Sequence, residues 1–428
     1  RAAAAAAAAL RALLPPLAPV GCIAPWRLRL DRLPELVPEP QSDRELPAAS
    51  RSRLAGELLA SLSHKLVDAV LPVAKIFEKF FEHASPGTLP LALVGLNVLL
   101  VRDRRDSQWQ SGLAAAGAEQ AELLQDALRY MRICSASYGP LIVNPLMFPD
   151  TQLRAELLGD PAAAICAHAG LDAARVQVPL SAPQSSWLHP AHYVVHDQQR
   201  REAIVVVRGT LSLEDVVTDL GAEEVDLFAG GKAHHNILQS AGNVLRCVAP
   251  ALEELAGQVD SVTFTGHSLG GAVAAYLALL FQELLEPTAG AVAVRCFTFG
   301  APGTCSLSVA RSLRGRVISF CHAEDLVARL SFGHVLELHD RAVAAAEAAL
   351  NGAPAPGAHE HLKLYSAGRC FVVRSDGGFA ELDPHALAPH ISLAGGSSML
   401  SDHFPPSYEA ALRSALGRCG APAAPPAA

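Results

Sequence analysis

No stretch of about 18 or more uncharged apolar residues occurs in the chain, although half of its 428 residues are hydrophobic. The longest run, Leu89–Val101, is about 13 residues and too short to cross a bilayer as a helix, so the sequence as it stands reads as not transmembrane. No C-x-x-C pair is present. The nine cysteines, Cys22, Cys134, Cys166, Cys247, Cys296, Cys305, Cys321, Cys370 and Cys419, are scattered and odd in number, and several lie inside apolar runs. That is the pattern of reduced core thiols in a reducing compartment, not of a disulfide framework. His234-His235 and His359/His361 lack a convergent set of carboxylates or thiolates, so no metal and no cofactor is expected. The net charge of −8 is not gathered in blocks, which leaves no footprint for nucleic acid. Length alone allows two or three domains, or one large α/β domain with flanking segments.

The chain starts at Arg1 and not at a methionine, so it reads as a fragment or a processed product. Residues 1–50 are rich in Ala, Pro and Arg, and Pro15-Pro16, Pro34, Pro38, Pro40 and Pro47 break any regular element, so a disordered or low-complexity lead is expected. Residues 51–140 form a helical segment. Leu54, Leu58, Leu62, Leu66, Val70, Val73, Phe77 and Phe80 follow an amphipathic spacing, with Lys65, Lys75 and Lys79 among the polar positions. Such a face either rests on an anionic membrane surface or packs on the rest of the protein. A shorter apolar helix around Leu89–Val101 and another over Ala118–Ser137 follow.

From residue 141 to about 420 the pattern changes to strands alternating with helices. His192–His196 and Ala203–Thr210 are strands joined by a polar turn, a helical stretch covers about Asn236–Leu255, and further strands fall at Val259–Thr265, Ala291–Phe299, Arg316–Cys321 and Cys370–Arg374. Alternation of this kind predicts an α/β fold, a mostly parallel sheet with helices on both faces and functional loops at the strands' carboxyl ends. Asp340–Gly357, an Ala-rich helix ending in Pro354-Ala355-Pro356-Gly357, reads as a surface insertion between two core strands.

Chemistry enters at Val262–Tyr276. There β-branched and aromatic residues lead into Gly266-His267-Ser268-Leu269-Gly270, and a helix of small residues follows at once. A G-x-S-x-G between a strand and a helix is a nucleophile elbow: the serine sits in a strained turn that lifts its hydroxyl clear of the sheet. Ser268 is the candidate nucleophile. A serine at neutral pH needs a base, and the base an orienting carboxylate, in chain order Ser, Asp/Glu, His. Asp325, with apolar Leu326-Val327 behind it, is the favoured acid and Glu324 the fallback. For the base, position after the last core strand leaves His385, His390 and His403; His403 is favoured because apolar residues flank its loop just before a helix. The oxyanion hole of such a site takes the N–H following the nucleophile, Leu269, and a second donor from the end of an earlier strand, where Thr210 stands.

Val206–Leu220, Gly266–Gly271, Glu324–Ser331 and Met399–Pro405, with weaker stretches at Gly95–Leu100 and Tyr130–Pro145, together resemble the class 3 lipases, and within them the sn-1-specific diacylglycerol lipases. The resemblance spans roughly residues 85–415 and matches Ser268, Asp325 and His403 to the triad and Thr210 with Leu269 to the oxyanion hole. It implies an α/β-hydrolase fold, a membrane-associated enzyme whose catalytic domain faces the cytoplasm, and release of a fatty acid from diacylglycerol to leave a monoacylglycerol. Acylglycerol or another membrane lipid would be substrate and the membrane surface the partner; oligomeric state is left open. The sequence departs from the family in three ways. It does not show the four transmembrane helices that precede the catalytic domain in the family, Ala328 replaces a usual proline, and the insertion at about 334–368 is shorter than the family's regulatory loop and not cysteine-rich. Leu211–Leu220 and that insertion, which mix leucine or valine with acids, are expected to form a lid. The same residues would serve a phospholipase A1 or a galactolipid lipase, and an inactive membrane scaffold is the rival from another class.

Overall fold

Eight strands in the order β12-β11-β10-β9-β7-β4-β3-β2 make one sheet in the computed structural model, which describes residues 26–33, 89–106, 113–139, 161–210, 224–227, 230–287, 292–352, 361–396 and 398–419. In chain order the strands are β1 (Trp26–Leu28), β2 (Val176–Ala182), β3 (His192–Asp197), β4 (Glu202–Val207), β5 (Glu224–Asp226), β6 (Lys232–His234), β7 (Ser261–His267), β8 (Leu285–Pro287), β9 (Ala293–Phe299), β10 (Val317–His322), β11 (Arg369–Val373) and β12 (Phe379–Leu382). Strands β4, β7, β9, β10 and β11 run parallel. β12 at one edge and β3 and β2 at the other are antiparallel. This is the expected α/β-hydrolase architecture, a mostly parallel sheet sandwiched between helices.

The central strands are apolar on both faces because both faces are covered. Along β4, Ala203, Val205 and Val207 enter one core while Ile204 and Val206 enter the other. On the first face lie the helices His235–Glu254, Leu269–Leu284, Leu89–Asp106 and Phe332–Asn351. On the second lie Ala121–Ala136, Pro161–Ala169 and Pro405–Arg418. There Phe299, Phe320, Phe371 and Phe379, one from each of four neighbouring strands, stack with ring centroids 5.4, 5.6 and 5.0 Å apart. The rungs fix the register of the strands that carry the site.

Three sequence expectations change. Part of the 1–50 lead is ordered: β1 pairs with β8, and the fully buried Trp26 packs edge-on to Phe281 at 5.5 Å. Apolar burial of one tryptophan outweighs a composition that reads as disordered. The boundary at 140 also falls, since the Ala121–Ala136 helix buries Leu124, Leu128, Met131 and Ile133 in the same core as β4 and β9. The Ala-rich insertion begins earlier and is not superficial. The Phe332–Asn351 helix buries Val335, Leu338, Ala342 and Ala346, and its backbone lies so close to the Leu89–Asp106 helix that a Cβ on Gly95 would stand 1.7 Å from the Ala342 carbonyl oxygen. Alanines make a helix face smooth enough for that approach, the property that had made the segment look like surface.

The Leu54–Phe81 helix and the Leu211–Leu220 part of the expected lid fall outside the described residues. Among the described residues no helix is long and apolar enough to cross a membrane.

Candidate active site

Ser268 joins the end of β7 to the Leu269–Leu284 helix with φ 60° and ψ −134°, a conformation that costs a non-glycine residue on the order of 1–3 kcal/mol. Glycines around it make the turn possible. A Cβ on Gly266 would stand 2.3 Å from the Gly270 backbone, and one on Gly270 would stand 2.2 Å from the Val207 carbonyl oxygen. The Ser268 N–H donates to the Phe299 carbonyl at 2.8 Å and pins the turn to β9. The hydroxyl is thus held at the carboxyl end of the parallel strands, where β10 and the segment after β12 also deliver their residues.

Three of the sequence-predicted residues come together. Ser268 Oγ lies 2.9 Å from His403 Nε2, and His403 Nδ1 lies 3.1 and 3.0 Å from the two carboxylate oxygens of Asp325. Asp325 has no exposed surface, Ser268 is 1% exposed, and the His403 side chain keeps 13%. The alternatives lie elsewhere. Glu324 directs its carboxylate toward Arg329 at 3.8 Å, His385 lies against the ring of Tyr365, and His390 sits among Arg341, Asp103, Glu337 and Lys363.

Asp325 is a buried charge with its acceptors filled. The Tyr408 hydroxyl donates to Oδ2 at 2.6 Å and the Val327 N–H to Oδ1 at 2.8 Å. Burial alone would raise its pKa, but the neighbouring His403 and the donated hydrogen bonds outweigh burial and hold it below the ordinary carboxylate range. Its loop is strapped in place. The Arg329 guanidinium donates to the carbonyls of Asp325 and Ala323, each at 2.7 Å. Asp402 accepts from the Glu324 N–H at 3.0 Å, and Leu326 N–H donates to the Met399 carbonyl at 3.1 Å, so the acid loop and the base loop are tied to each other. Gly300 fills the remaining corner at φ 60°, where a Cβ would stand 2.8 Å from Asp325 Oδ2 and 3.0 Å from the His403 ring.

Thr210, beyond the end of β4, and Leu269, the first residue of the elbow helix, line one cleft of about 300 Å³ with Trp187, Arg208, Gly209, Ile237 and Val273. As the first residue of its helix, Leu269 has an N–H without an intrahelical acceptor. Its lining mixes apolar Ile237, Leu269 and Val273 with polar Ser185, Asn236 and Ser240, and Trp187 on it is 55% exposed.

Sequence reasoning missed Tyr408 and Gly300, for which no local pattern exists, and Arg329 and Asp402, which lie inside the Glu324–Ser331 and Met399–Pro405 stretches without a role assigned to them there. It also missed a pair beside the nucleophile, His267 and Tyr138. Both lie inside stretches singled out above, His267 as the variable residue of the elbow motif. Groups of three or more His, Cys, Asp or Glu able to hold a metal are absent among the described residues.

Sheet order, elbow and the hydrogen-bonded Ser-His-Asp set define an α/β-hydrolase. Residues 204–334 match the model of the class 3 lipase family. Mouse diacylglycerol lipase-beta is 34% identical over 160 residues, 35% of this chain and 23% of that protein. A secreted mono- and diacylglycerol lipase of Fusarium solani is 32% identical over 116 residues, 26% of this chain and 32% of that one. The match thus spans under a third of the length of either curated relative. Among solved structures, the Rhizomucor miehei lipase propeptide complex is similar with a TM-score of 0.44 and 17% identity, over 69% of this chain and 81% of that one.

Proposed function

We propose that the chain is a serine lipase that hydrolyses an acyl ester of diacylglycerol at a lipid surface, at the sn-1 position, releasing a fatty acid and leaving a monoacylglycerol. The observation that carries the reading is the unbroken hydrogen-bonded line from Ser268 Oγ through His403 to the buried Asp325. In the first half-reaction His403 Nε2 takes the Ser268 proton as Oγ attacks the ester carbonyl, and the N–H groups of Thr210 and Leu269 hold the oxyanion. Collapse breaks the ester bond, His403 returns the proton to the glycerol oxygen, and an acyl-Ser268 remains. Water, deprotonated by the same histidine, then releases the fatty acid. Asp325 keeps the His403 proton on Nδ1 and stabilises the imidazolium. The apolar part of the cleft lining, Leu188, Ile237, Leu269 and Val273, suits an acyl chain, and the diacylglycerol lipases among the relatives favour that substrate.

The test is fatty-acid release from diacylglycerol, phosphatidylcholine and galactolipid in mixed micelles, with distinguishable chains at the two positions, for wild type and Ser268→Ala. Diacylglycerol-selective and sn-1-selective release that disappears in the variant is the expected result. Release from the phospholipid or galactolipid alone would overturn the substrate, and a variant as active as wild type would overturn the mechanism.

A further inference from the structure

Each polar group of His403 is engaged by a different residue. Nδ1 faces Asp325 and Nε2 faces Ser268, while its backbone carbonyl accepts from His267 Nε2 at 2.7 Å. His267 is covalently next to the nucleophile, buried at 2% exposure, with its ring 4.7 Å from that of His403. Its other nitrogen, Nδ1, lies 2.8 Å from the Tyr138 hydroxyl. Only one arrangement of protons satisfies both contacts of a neutral imidazole. A carbonyl can only accept, so the ring proton is on Nε2; Nδ1 then carries a lone pair, and the phenol must donate to it. Burial, and next the charge of His403, push His267 down to about 3, so the ring is neutral wherever a lipase would work. The same phenol oxygen packs under the segment leading to Thr210, for a Cβ on Gly209 would stand 2.6 Å from it and 2.9 Å from Ser268 Cβ.

We infer that Tyr138 and His267 are positioning residues: the Tyr138 hydroxyl locks the His267 proton on Nε2, and that proton holds the backbone of His403, fixing the distance between base and nucleophile. This inference rests on the reading of Ser268 and His403 as nucleophile and base. The lock does for the His403 backbone what Asp325 does for its ring. Without the phenol proton, His267 is free to take the Nδ1–H form, and two lone pairs, of Nε2 and of the His403 oxygen, then face each other at hydrogen-bond distance. The base loop then moves away from Ser268.

Tyr138→Phe removes one buried oxygen, which donates to His267 Nδ1 and also accepts from the Gly209 N–H. The expected result is a fall in kcat of roughly ten- to a hundredfold, the cost of displacing a catalytic group by about an ångström, with KM changed by less than about twofold because ground-state binding is unaffected. In ¹⁵N-histidine-labelled protein, His267 should change from a purely Nε2-protonated ring to a mixture of tautomers, a readout that a merely structural role would not move. His267→Gln, whose amide can still donate toward the carbonyl, should retain more kcat than His267→Leu. Wild-type kcat in Tyr138→Phe, lost kcat with the His267 ring still wholly Nε2-protonated, or equal impairment of the Gln and Leu variants would each overturn the inference. If Tyr138→Phe does not fold, the Gln and Leu pair decides. Fluorophosphonate labelling of wild type against Ser268→Ala tests the nucleophile separately: failure there sinks the triad, whereas the tautomer signal reports on the lock alone.

Discussion

Lowering the pH from 7 to 5 should cost this protein about 4 kcal/mol of stability through two histidines that the fold keeps neutral. His267 and His334 are buried, with 2% and 0% exposure, and burial pushes them from the ordinary 6.5 down to about 3 and about 4. Each has spent both ring nitrogens. His334 accepts from the Ser331 hydroxyl at 2.7 Å and donates to the Ala388 carbonyl at 2.8 Å, so neither nitrogen has room for a further proton without losing a partner. The folded pKa is the depressed one, so the unfolded chain binds more protons below pH 6.5, and stability drains as pH falls toward the folded values. At pH 5 the unfolded chain's advantage is about 1.5 pH units per histidine, or about 2 kcal/mol each. His192, His196 and His390, also lowered by burial, act in the same direction. The buried carboxylates Asp325 and Glu409 are held low, remain charged through this window and weaken the fold only at lower pH. Urea unfolding at pH 7, 6 and 5 measures the loss as a falling midpoint at constant m. His334→Gln should remove about 2 kcal/mol of the pH-dependent loss while lowering stability at pH 7. A flat profile between pH 7 and 5, or an undiminished one in His334→Gln, refutes the reasoning.

Tyr408→Phe removes the shortest hydrogen bond to Asp325; kcat for fatty-acid release should fall roughly tenfold as the carboxylate loses orientation, with KM near wild type. Gly95→Ala forces the Leu89–Asp106 helix off the Phe332–Asn351 helix, and calorimetry should find a loss of about 1–3 kcal/mol, with fatty-acid release per folded molecule little changed. Glu202→Gln leaves Arg129 without one of its two buried anions and should cost about 3–5 kcal/mol in denaturant unfolding. Asp260→Ala, which breaks only the exposed pair with Arg201, should leave the unfolding midpoint where it was.

What was legible in the sequence was whatever the chain encodes within a few residues. The elbow is local: two glycines, a serine, a strand before and a small-residue helix after, and all of it appears where the pattern put it. The parallel strands were equally plain because burial on both faces turns them into continuous apolar runs. Edge strands were not. β2 alternates regularly, with Gln177, Pro179 and Ser181 exposed, but carries a proline inside it that reads as a break, and β12 is four residues long. The Asp325 and His403 choices came from chain order and flanking residues, which narrowed several candidates without supplying a contact. Tyr138 and Tyr408 were beyond reach, since their roles rest on contacts made 129 and 83 residues away to groups whose position only the fold defines. The Ala-rich helix misled for a related reason. Alanine signals an unconstrained surface in one sequence and a close helix crossing in three dimensions.

The two ends of the sheet hold buried carboxylates with different kinds of partner. At the amino ends of β4, β7 and β9, the fully buried Glu202 accepts from Arg129, Tyr130, Thr263 and Arg295. Those partners close around the carboxylate. At the carboxyl ends Asp325 is as buried, but one of its partners is His403, whose ring keeps some exposure and reaches a hydroxyl held in a strained turn. A buried carboxylate alone therefore says little about chemistry. What distinguishes Asp325 is that it is hydrogen-bonded, through the His403 ring, to a hydroxyl the fold has lifted out of the sheet. The strain at Ser268 has to be supported by the strands beneath it, and Glu202, by tying Tyr130 and Arg129 of the Ala121–Ala136 helix and Thr263 of β7 to the start of β4, is part of that support. Tyr138, just beyond the end of the same helix, then meets His267 at the far end of the same strand β7. One helix spans both ends of the sheet, satisfying a structural carboxylate near its middle and holding the nucleophile's neighbour beyond its tip.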